Sequence, residues 1–576
     1  MLTNSAVTRS ASTRAFFLAS AAISIAILWW AHYMSYNYLG LALSVSFFYL
    51  FTALDQPAAS VLLLILIGAV FIARPSWLNP LGAWISDHVR AIALLTTITL
   101  CAGNVVVYQN HPLSMDEYSA LFQSKVFAAG HLAGHFPTAL LDFLIPPGFQ
   151  NYFLHVSRTT GAVAQSYWPS FALLMTPFTW LGIPWACNPV ISAVTLLVIH
   201  RLALQMFADQ EAAGFAVLLT LASPVFFADG ISYYAMPAHL LANCIYALLL
   251  LTPTPRKAFF AGLVGSVALT LHNPVPHMLF AVPWFFWVAR NPNPWRTMAC
   301  LCAGYLPLCL FLGVGWVEFL NSLHAADAHV ADAGAKAIAH PAEPHTLIDS
   351  ITGLVSTVFS LPTVNVFYAR LLGLAKVWVW AVPGLMILAS AGAWKLRDDP
   401  RCRLFVASAI ITLLGYLLVA VDQGHGWGFR YFHSAWMALP LLAAGALTRT
   451  NATGAPDDFA SADMRAFVAA CALLCLIVAD GQRALQIHQF LTDELSNVPP
   501  YEKNERQVLF INPNAFYAID LVQNDPWLRD NRILMMSHGS AADMNLMRAQ
   551  FPQMRRILDS PHGSVWVSGA SHVSQR

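Results

Sequence analysis

The segment His111-Pro112-Leu113-Ser114-Met115-Asp116-Glu117-Tyr118 places two adjacent carboxylates just beyond an apolar run. That run, 91–108, approaches the about 20 apolar residues that a helix needs to cross a bilayer. A carboxylate beside a bilayer incurs a desolvation cost, so such groups are commonly functional. The sequence therefore makes Asp116 a candidate general base at the membrane surface, with Glu117 as its catalytic neighbour. The alternative is a pair of solvated loop residues, because Asp-Glu is a common dipeptide.

The composition of the chain is that of an integral membrane protein. Of the 576 residues, 57% are hydrophobic and 10% are charged, whereas soluble domains carry about 25% charged residues. Mean hydropathy is +0.58. The net charge of +1 provides no basic field for nucleic acid. We expect an α-helical polytopic membrane protein with about 13–14 apolar spans.

The apolar runs divide the chain into three regions. Residues 1–90 are predicted to form extra N-terminal membrane spans, with runs at 15–32, 38–54 and 58–73. Residues 91–480 form the transmembrane catalytic region, and residues 481–576 form a tail domain. Three spans before Arg74 would put the N-terminus on the opposite side from Arg74, although Arg9 and Arg14 favour the same side. This conflict disappears if one of the three runs is not a full crossing.

Basic turns predict which loops lie outside the cytoplasm. The strongest, Lys395 to Arg403, is placed inside by the positive-inside rule. The extracytoplasmic parts are then the loops 110–187 and 318–370 and the tail. The first loop is expected to carry interfacial helices, including one over 118–129. The tail is predicted to be a small α/β domain, with strands at 508–511, 533–536 and 565–567.

The second loop contains four histidines that are candidate metal ligands: His324, His329, His340 and His345. Their spacing lacks the helical (i, i+4) pair with a third ligand that zinc sites use. We therefore predict no metal ligands in this chain.

A second polar stretch lies at the outer end of a late span: Asp422-Gln423-Gly424-His425-Gly426-Trp427-Gly428-Phe429-Arg430-Tyr431-Phe432-His433. Arg430 suits a phosphate clamp because its charge is permanent and its planar fork binds two oxygens. Neighbouring glycines would let a ligand approach the backbone. The alternative is an interfacial arginine that extends from a span end towards water.

Several motifs, taken in order, resemble the GT-C glycosyltransferase superfamily, the relatives of protein O-mannosyltransferases and aminoarabinose transferases. They are Asp116-Glu117 after a span, Tyr167-Trp168-Pro169, Leu181-Gly182-Ile183-Pro184-Trp185, Asn188-Pro189, Ser223-Pro224, Met236-Pro237-Ala238-His239 and Gly426-Trp427-Gly428-Phe429-Arg430-Tyr431. The resemblance covers roughly residues 85 to 447, without the first runs and the tail.

The resemblance implies an inverting enzyme that moves a sugar from a polyprenyl-phosphate donor to an acceptor glycan, lipid or protein outside a bacterial cytoplasmic membrane. Asp116 would accept the acceptor proton, its pKa raised by the half-desolvated interface, and Glu117 would orient the site or hold acceptor hydroxyls. The donor phosphate would be bound by Arg430, His425, Lys125 and His272. Substrate contacts would come from Tyr118, Tyr167, Trp168, His239, Trp427 and Tyr431. For the accessory residues, a structural hydrogen bond at a span end is the competing interpretation.

The chain also departs from the superfamily pattern. His272-Asn273-Pro274 stands where many members carry Arg-Pro, so Arg370 or Arg158 might replace the missing cation. The second acidic motif of the metal-dependent oligosaccharyltransferases is not evident, which favours an enzyme without metal or other cofactor.

Two other function classes remain open at this point. A transporter or flippase of lipid-linked sugars would place charged residues in mid-span and repeat its halves, whereas here the ionisable residues lie at the span ends. A surface-glycan polymerase or ligase would rely on arginines and a histidine in a late loop, as His425 and Arg430 allow.

Overall fold

The structure is a computed structural model that describes residues 10–37, 43–290, 292–323, 361–448, 460–500 and 505–568. The four histidines considered as metal ligands lie outside these ranges.

Helices account for most of the described chain. In chain order they are α1 (Ala11–Tyr36), α2 (Val45–Tyr49), α3 (Gln56–Ile72), α4 (Pro75–Leu78), α5 (Leu81–Asp87), α6 (Val89–Val106), α7 (Met115–Ala128), α8 (Leu141–Leu144), α9 (Ser170–Trp180), α10 (Cys187–Phe207), α11 (Gln210–Leu221), α12 (Pro224–Gly230), α13 (Met236–Leu250), α14 (Pro255–Leu269), α15 (Val275–Ala289), α16 (Pro294–Leu308), α17 (Val364–Val379), α18 (Leu385–Lys395), α19 (Pro400–Gly415), α20 (Arg430–His433), α21 (Ala438–Ala446), α22 (Ala462–Leu474), α23 (Asp480–Leu495) and α24 (Ser540–Gln550).

Within the described ranges, seven helical stretches are long and apolar enough to cross a membrane, and eight if the bent pair α11–α12 counts as one span. Three further apolar helices, α13, α15 and α18, have only 10–17 residues. The count is lower than the about 13–14 runs predicted, since several apolar runs form helices shorter than the about 20 residues of a full crossing. In the bent pair, the angle between α11 and α12 is 63°.

The N-terminal region contains two long helices, where three apolar runs had been predicted. The runs 38–54 and 58–73 belong to one helix, Val45–Ile72, which passes through a π-helical segment, Leu50–Asp55. Two crossings return the chain to the end of the bundle where it began. The conflict over the N-terminus therefore disappears, because Arg14 and Arg74 then lie on the same side.

The same helix carries a buried carboxylate that anchors the N-terminal spans to the rest of the bundle. Asp55 accepts from Lys376 Nζ at 2.6 Å, from Arg483 Nη2 at 3.0 Å and from Trp380 Nε1 at 2.7 Å. The three charged side chains are each only 1% exposed. Ionisable groups thus lie inside helices as well as at their ends, contrary to the sequence-based expectation, and they are paired as buried charges must be.

Contacts between helices show which residues lie at each end of the bundle. At one end, Ser10 N lies 2.9 Å from an Asp463 oxygen and Ser86 Oγ lies 2.7 Å from His200 Nε2. At the other end, the Ser44 amide donates to Asp422 at 2.6 Å. Asp116 and Arg430 belong to this second end, as the sequence predicted.

The first loop and the tail each contain a small sheet. Strands β1 (Gly134–His135), β2 (Leu154–Val156) and β3 (Ala162–Gln165) form an antiparallel sheet in the order β1-β3-β2. In the tail, β4 (Gln507–Ile511), β5 (Arg532–Met536), β6 (Met554–Ser560) and β7 (Gly563–Ser568) have the order β5-β4-β7-β6, with β4 and β5 parallel. The three strands predicted in the tail are present, so its α/β character is confirmed.

One apolar core joins the first loop to the tail. Tyr118, Phe122 and Phe136 of the loop are buried in the same cluster as Leu509 and Phe510 of the tail. The tail is attached by a continuous helical stretch, Ala462–Leu495, which runs through the predicted boundary at residue 480. The domain therefore sits directly on the loop that carries Asp116.

Candidate active site

Helix α7 begins at the predicted base, and its first turn is held by backbone contacts from elsewhere in the chain. The N-cap Ser114 is extended and makes no side-chain cap bond; its hydroxyl lies 3.0 Å from Tyr234 Oη. The Met115 amide instead donates to Asp520 Oδ1 of the tail at 2.7 Å. These bonds fix the helix start immediately before Asp116.

Asp116 contacts two groups that the sequence had singled out. Its Oδ2 lies 2.9 Å from Arg430 Nη2, and its Oδ1 accepts a short hydrogen bond from the Tyr167 hydroxyl. The Asp116 side chain is 20% exposed and that of Arg430 is 6% exposed. The pair therefore lines an opening. Asp116 is the accessible member of the pair, and the buried Arg430 lies behind it.

The pKa of Asp116 is lowered, which corrects the expectation that it would be raised. Burial raises it, but the charges of Arg430 and His272 and the hydrogen bonds from Tyr167 and Arg430 together outweigh that effect. The sequence indicates that Asp116 is partly desolvated, but it does not show that Arg430 lies at contact distance. Asp116 is therefore a carboxylate over the whole neutral range in this arrangement.

Arg430 is pre-positioned by the loop that precedes α20. Its Nη1 donates to the carbonyl oxygen of His425 at 2.9 Å, and its amide donates to Gln423 Oε1 at 3.0 Å. Its guanidinium lies over the ring of Tyr234, 4.2 Å from the centroid. Gly426 has φ +108°, and a Cβ there would lie 2.4 Å from Arg430 Cδ. The glycine thus makes room for the arginine side chain itself.

Two predicted histidines, His272 and His425, lie near this pair, and a third, His239, is buried near His272. The His272 ring packs on Tyr167 with centroids 3.7 Å apart, and burial lowers the pKa of His272 to about 4 although the Asp116 charge opposes the shift. Burial and the Arg430 charge likewise lower the pKa of His425 to about 4. Among the described atoms, neither ring nitrogen of His425 or His239 has a hydrogen-bond partner. The site thus offers neutral imidazoles with unused donors and acceptors.

Glu117 is brought next to Asp116 along the chain but has different surroundings. It is fully buried, and its carboxylate accepts from the amides of Leu113 and Tyr233, the latter at 2.8 Å, and from Tyr108 Oη at 3.0 Å. Burial raises the pKa of Glu117 to about 8. The Glu117 oxygens therefore accept hydrogen bonds from the protein around Asp116, which fits the orienting role predicted for this residue.

Two predicted residues on α7 point away from the site. Residues two apart on a helix are about 200° apart around its axis, so Tyr118 faces the tail, where its hydroxyl donates to the Asn524 carbonyl at 2.6 Å. Lys125 lies about 13 Å further along the axis than Asp116 and on the opposite side. Tyr118 is only two residues from Asp116 in the sequence, but the helix turns the two side chains to different sides.

The aromatic residues of the late motif, predicted to contact substrate, make contacts within the protein. Trp427 is buried, and its Nε1 donates to Tyr108 Oη at 3.1 Å. Tyr431 stacks on Tyr416 at 4.3 Å and donates to the Asp422 carbonyl. Trp168 contributes its amide to the His272 carbonyl at 3.1 Å, so it holds the backbone beside the site.

The two arginines considered as substitutes for the missing Arg-Pro motif are committed elsewhere. Arg370 donates to the carbonyl oxygens of Tyr416, Val419 and Val421. Arg158 is 56% exposed and pairs with Asp142 at 2.9 Å. Arg430 is the cation that contacts the predicted base.

Sequence reasoning missed three residues of the site. Tyr234 contacts Arg430, and it lies two residues before the predicted motif Met236-Pro237-Ala238-His239. Tyr152 is 64% exposed and close enough for the Asp116 charge to contribute to raising its pKa, so it lies near the opening. Asp520 is remote in sequence and had no signal.

The described ranges contain no group of three or more His, Cys, Asp or Glu side chains arranged to hold a metal ion. The predicted lack of a metal site is tested by experiment below.

Comparison with known proteins establishes the fold. No family model matches the chain, and no curated protein matches it. The chain is similar to the crystal structure of ArnT from Cupriavidus metallidurans bound to undecaprenyl phosphate, with 12% identity, a TM-score of 0.51, and coverage of 84% of this chain and 99% of that chain. For apo ArnT from the same organism the identity is 13%, the TM-score 0.47, and the coverage 84% and 97%. The first likeness confirms the GT-C-like fold that the motifs predicted.

Proposed function

We propose that this protein is a membrane glycosyltransferase that moves a sugar from a polyprenyl-phosphate donor to an extracytoplasmic glycan, lipid or protein acceptor. The observation that carries the proposal is the contact between Asp116 and Arg430. It joins a partly exposed carboxylate to a buried, permanently charged guanidinium within an ArnT-like fold. A base and a phosphate clamp are the two groups that this transfer requires.

The reaction is a single displacement. The acceptor oxygen forms a bond to the anomeric carbon, the bond from that carbon to the phosphate oxygen breaks, and the acceptor proton passes to Asp116. Attack from the side opposite the phosphate inverts the anomeric configuration. Arg430 stabilises the charge that develops on the departing polyprenyl phosphate, an effect commonly worth several kcal/mol in enzymes.

Donor binding activates the base. While Arg430 binds Asp116, the carboxylate has a lowered pKa and is a weak base. A donor phosphate that takes over Arg430 removes part of this stabilisation and adds a negative charge nearby. Both changes raise the pKa of Asp116 towards a useful range. The sugar can then occupy the space between the two side chains as their direct contact opens.

The position of the basic turns supports an extracytoplasmic active site. Arg201 and Lys395 belong to the end of the bundle opposite Asp116, and the positive-inside rule assigns basic turns to the cytoplasm. A cell-envelope location in a cytoplasmic membrane follows, with the lipid donor reaching the site from the bilayer. A transfer assay identifies the donor sugar and the acceptor.

The test compares the purified wild type with Asp116→Asn on a panel of polyprenyl-phosphate sugars. Sugar transfer or release is followed together with bound lipid by native mass spectrometry. Asp142→Asn is the matched control, because Asp142 is an exposed carboxylate of the same loop. We expect the wild type and Asp142→Asn to consume one donor at similar rates.

Asp116→Asn should retain donor binding and lose about a hundredfold to ten-thousandfold in turnover, the range typical of general-base removal. Equal turnover by Asp116→Asn would refute the assignment of the base. Donor binding without turnover in the wild type, together with movement of lipid between leaflets of a vesicle, would support a transporter instead.

A further inference from the structure

Five hydrogen bonds attach one segment of the tail to the first loop, four of them at or just before the beginning of α7. This segment, residues 517–526, is called the clamp below. The Met115 amide donates to Asp520 Oδ1 at 2.7 Å, and Gln523 Nε2 donates to the Pro112 carbonyl at 2.8 Å. Tyr118 exchanges two hydrogen bonds with the backbone of Asn524, at 2.6 and 2.8 Å. The His135 amide donates to the Pro526 carbonyl at 2.9 Å.

The clamp is itself fixed to the tail sheet. The Asn524 side chain donates to the Leu534 carbonyl at 2.8 Å and accepts from the Leu534 amide at 2.9 Å. Because Leu534 lies in the middle of β5, the clamp cannot shift without disturbing the sheet. The tail therefore presents a rigid acceptor to the helix start.

Asp520 supplies the cap that α7 otherwise lacks. The first amides of a helix need acceptors from outside the helix, and the N-cap side chain usually provides one. Here the N-cap Ser114 makes no such bond, and the buried carboxylate of Asp520 serves the Met115 amide instead. Asp116 is the next residue, so the backbone that directs its side chain is held from the tail.

We infer that Asp520 is a positioning residue for the base, and that the C-terminal domain is thereby part of the catalytic apparatus. The catalytic half of this inference rests on the proposed function. The structural half, that Asp520 holds the first turn of α7, does not. The two halves are tested by separate measurements on the full-length protein.

The variants distinguish hydrogen bonding from general stability of the tail. Asp520→Ala removes the acceptor, whereas Asp520→Asn keeps an oxygen at the same position. Asp543→Ala is the matched control: Asp543 is a buried carboxylate of the tail, and its partners are Ser537 and His538, both within the tail.

Hydrogen exchange measured by mass spectrometry tests the structural half. We expect faster exchange over residues 113–120 in Asp520→Ala, with wild-type exchange there in Asp520→Asn and Asp543→Ala. Unchanged exchange over 113–120 in Asp520→Ala would overturn the inference. Equal acceleration in Asp543→Ala would also overturn it, since it would show a general loosening of the tail.

Kinetics on the polyprenyl-phosphate donor test the catalytic half. Misplacing a catalytic group by about 1 Å can cost about a hundredfold in rate. Asp520→Ala should therefore lower kcat by about tenfold to a hundredfold while the donor KM stays within about twofold. Asp520→Asn should restore kcat to within about twofold of the wild type.

A fall in kcat that is equal for Asp520→Ala and Asp543→Ala, or a rise in donor KM alone, would contradict the positioning role. If the wild type turns over no donor, the proposed function fails, and the exchange experiment still decides whether the tail holds α7.

Discussion

Asp116 Oδ2 and Arg430 Nη2 lie 2.9 Å apart although 314 positions separate the two residues in the chain. The carboxylate follows the span α6, and the arginine begins the short helix α20. Their contact links the two stretches that the sequence had marked as the base and the phosphate clamp.

Removing the guanidinium should affect the donor more than the fold. Arg430→Gln should weaken donor binding and lower kcat/KM by about a hundredfold or more, because hydrogen bonds to phosphate from arginine are charge-assisted. Arg430→Lys should recover part of the loss, since a point charge replaces the fork. Steady-state kinetics and lipid binding measure both effects.

Arg158→Gln is the control for Arg430, because Arg158 is an exposed arginine paired with Asp142. Its kcat/KM should stay within about twofold of the wild type, as expected for an exposed ion pair. Equal losses in the two glutamine variants would contradict the phosphate-binding role proposed for Arg430.

The Tyr167 hydroxyl lowers the pKa of Asp116 by donating to it. Tyr167→Phe should therefore raise that pKa and move the acid limb of kcat/KM to higher pH, because a base must be deprotonated in the free enzyme. The wild-type limb should lie below the ordinary pKa of aspartate. A pH–rate profile of both proteins tests this prediction, and a limb that does not move would argue against Asp116 as the titrating base.

Asp55 should matter for stability and not for chemistry. Asp55→Ala leaves Lys376 and Arg483 buried without their counter-ion, and breaking such a pair costs about 3–5 kcal/mol. The unfolding temperature in detergent should fall well below that of Asp87→Ala, which removes an exposed carboxylate and should change the stability by at most about 0.5 kcal/mol. Similar unfolding temperatures for the two variants would show that the Asp55 cluster is not stabilising.

We expect catalysis without a metal ion. Treatment of the purified enzyme with a chelator should leave turnover unchanged, and added Mg²⁺ or Mn²⁺ should not increase it. Loss of activity on chelation, with recovery on adding one cation, would contradict this prediction. The four histidines of the second loop would then become candidate ligands.

Local features of the sequence selected two residues that the structure brings into contact. Asp116 and Arg430 could be selected because each combines a residue type with a position at a span end, and both properties are visible in a short window. The basic turns predicted that the two residues lie at the same end of the bundle, as they do in the structure. The α/β tail was predictable because β-strands appear as short apolar, β-branched segments.

The supporting residues were less predictable because their roles depend on direction. Glu117, Tyr118 and Lys125 share a helix with Asp116, yet the helical rotation turns each to a different environment: a buried backbone cluster, the tail and a remote face. Asp55 falls between the predicted runs 38–54 and 58–73. Its partners Lys376 and Arg483 are more than 300 residues away and leave no trace in the surrounding sequence.

The amino-acid sequence by itself determined that this is a membrane protein with a carboxylate after an early span and an arginine in a late glycine-rich loop, since apolar length and residue type are local properties. Only the tertiary structure decided the pKa of Asp116, because that depends on how near Arg430 comes. It also decided that the tail reaches the helix start, since the Met115–Asp520 bond spans 405 positions. Contacts of that range follow from the packing of the whole chain, and no local pattern encodes them.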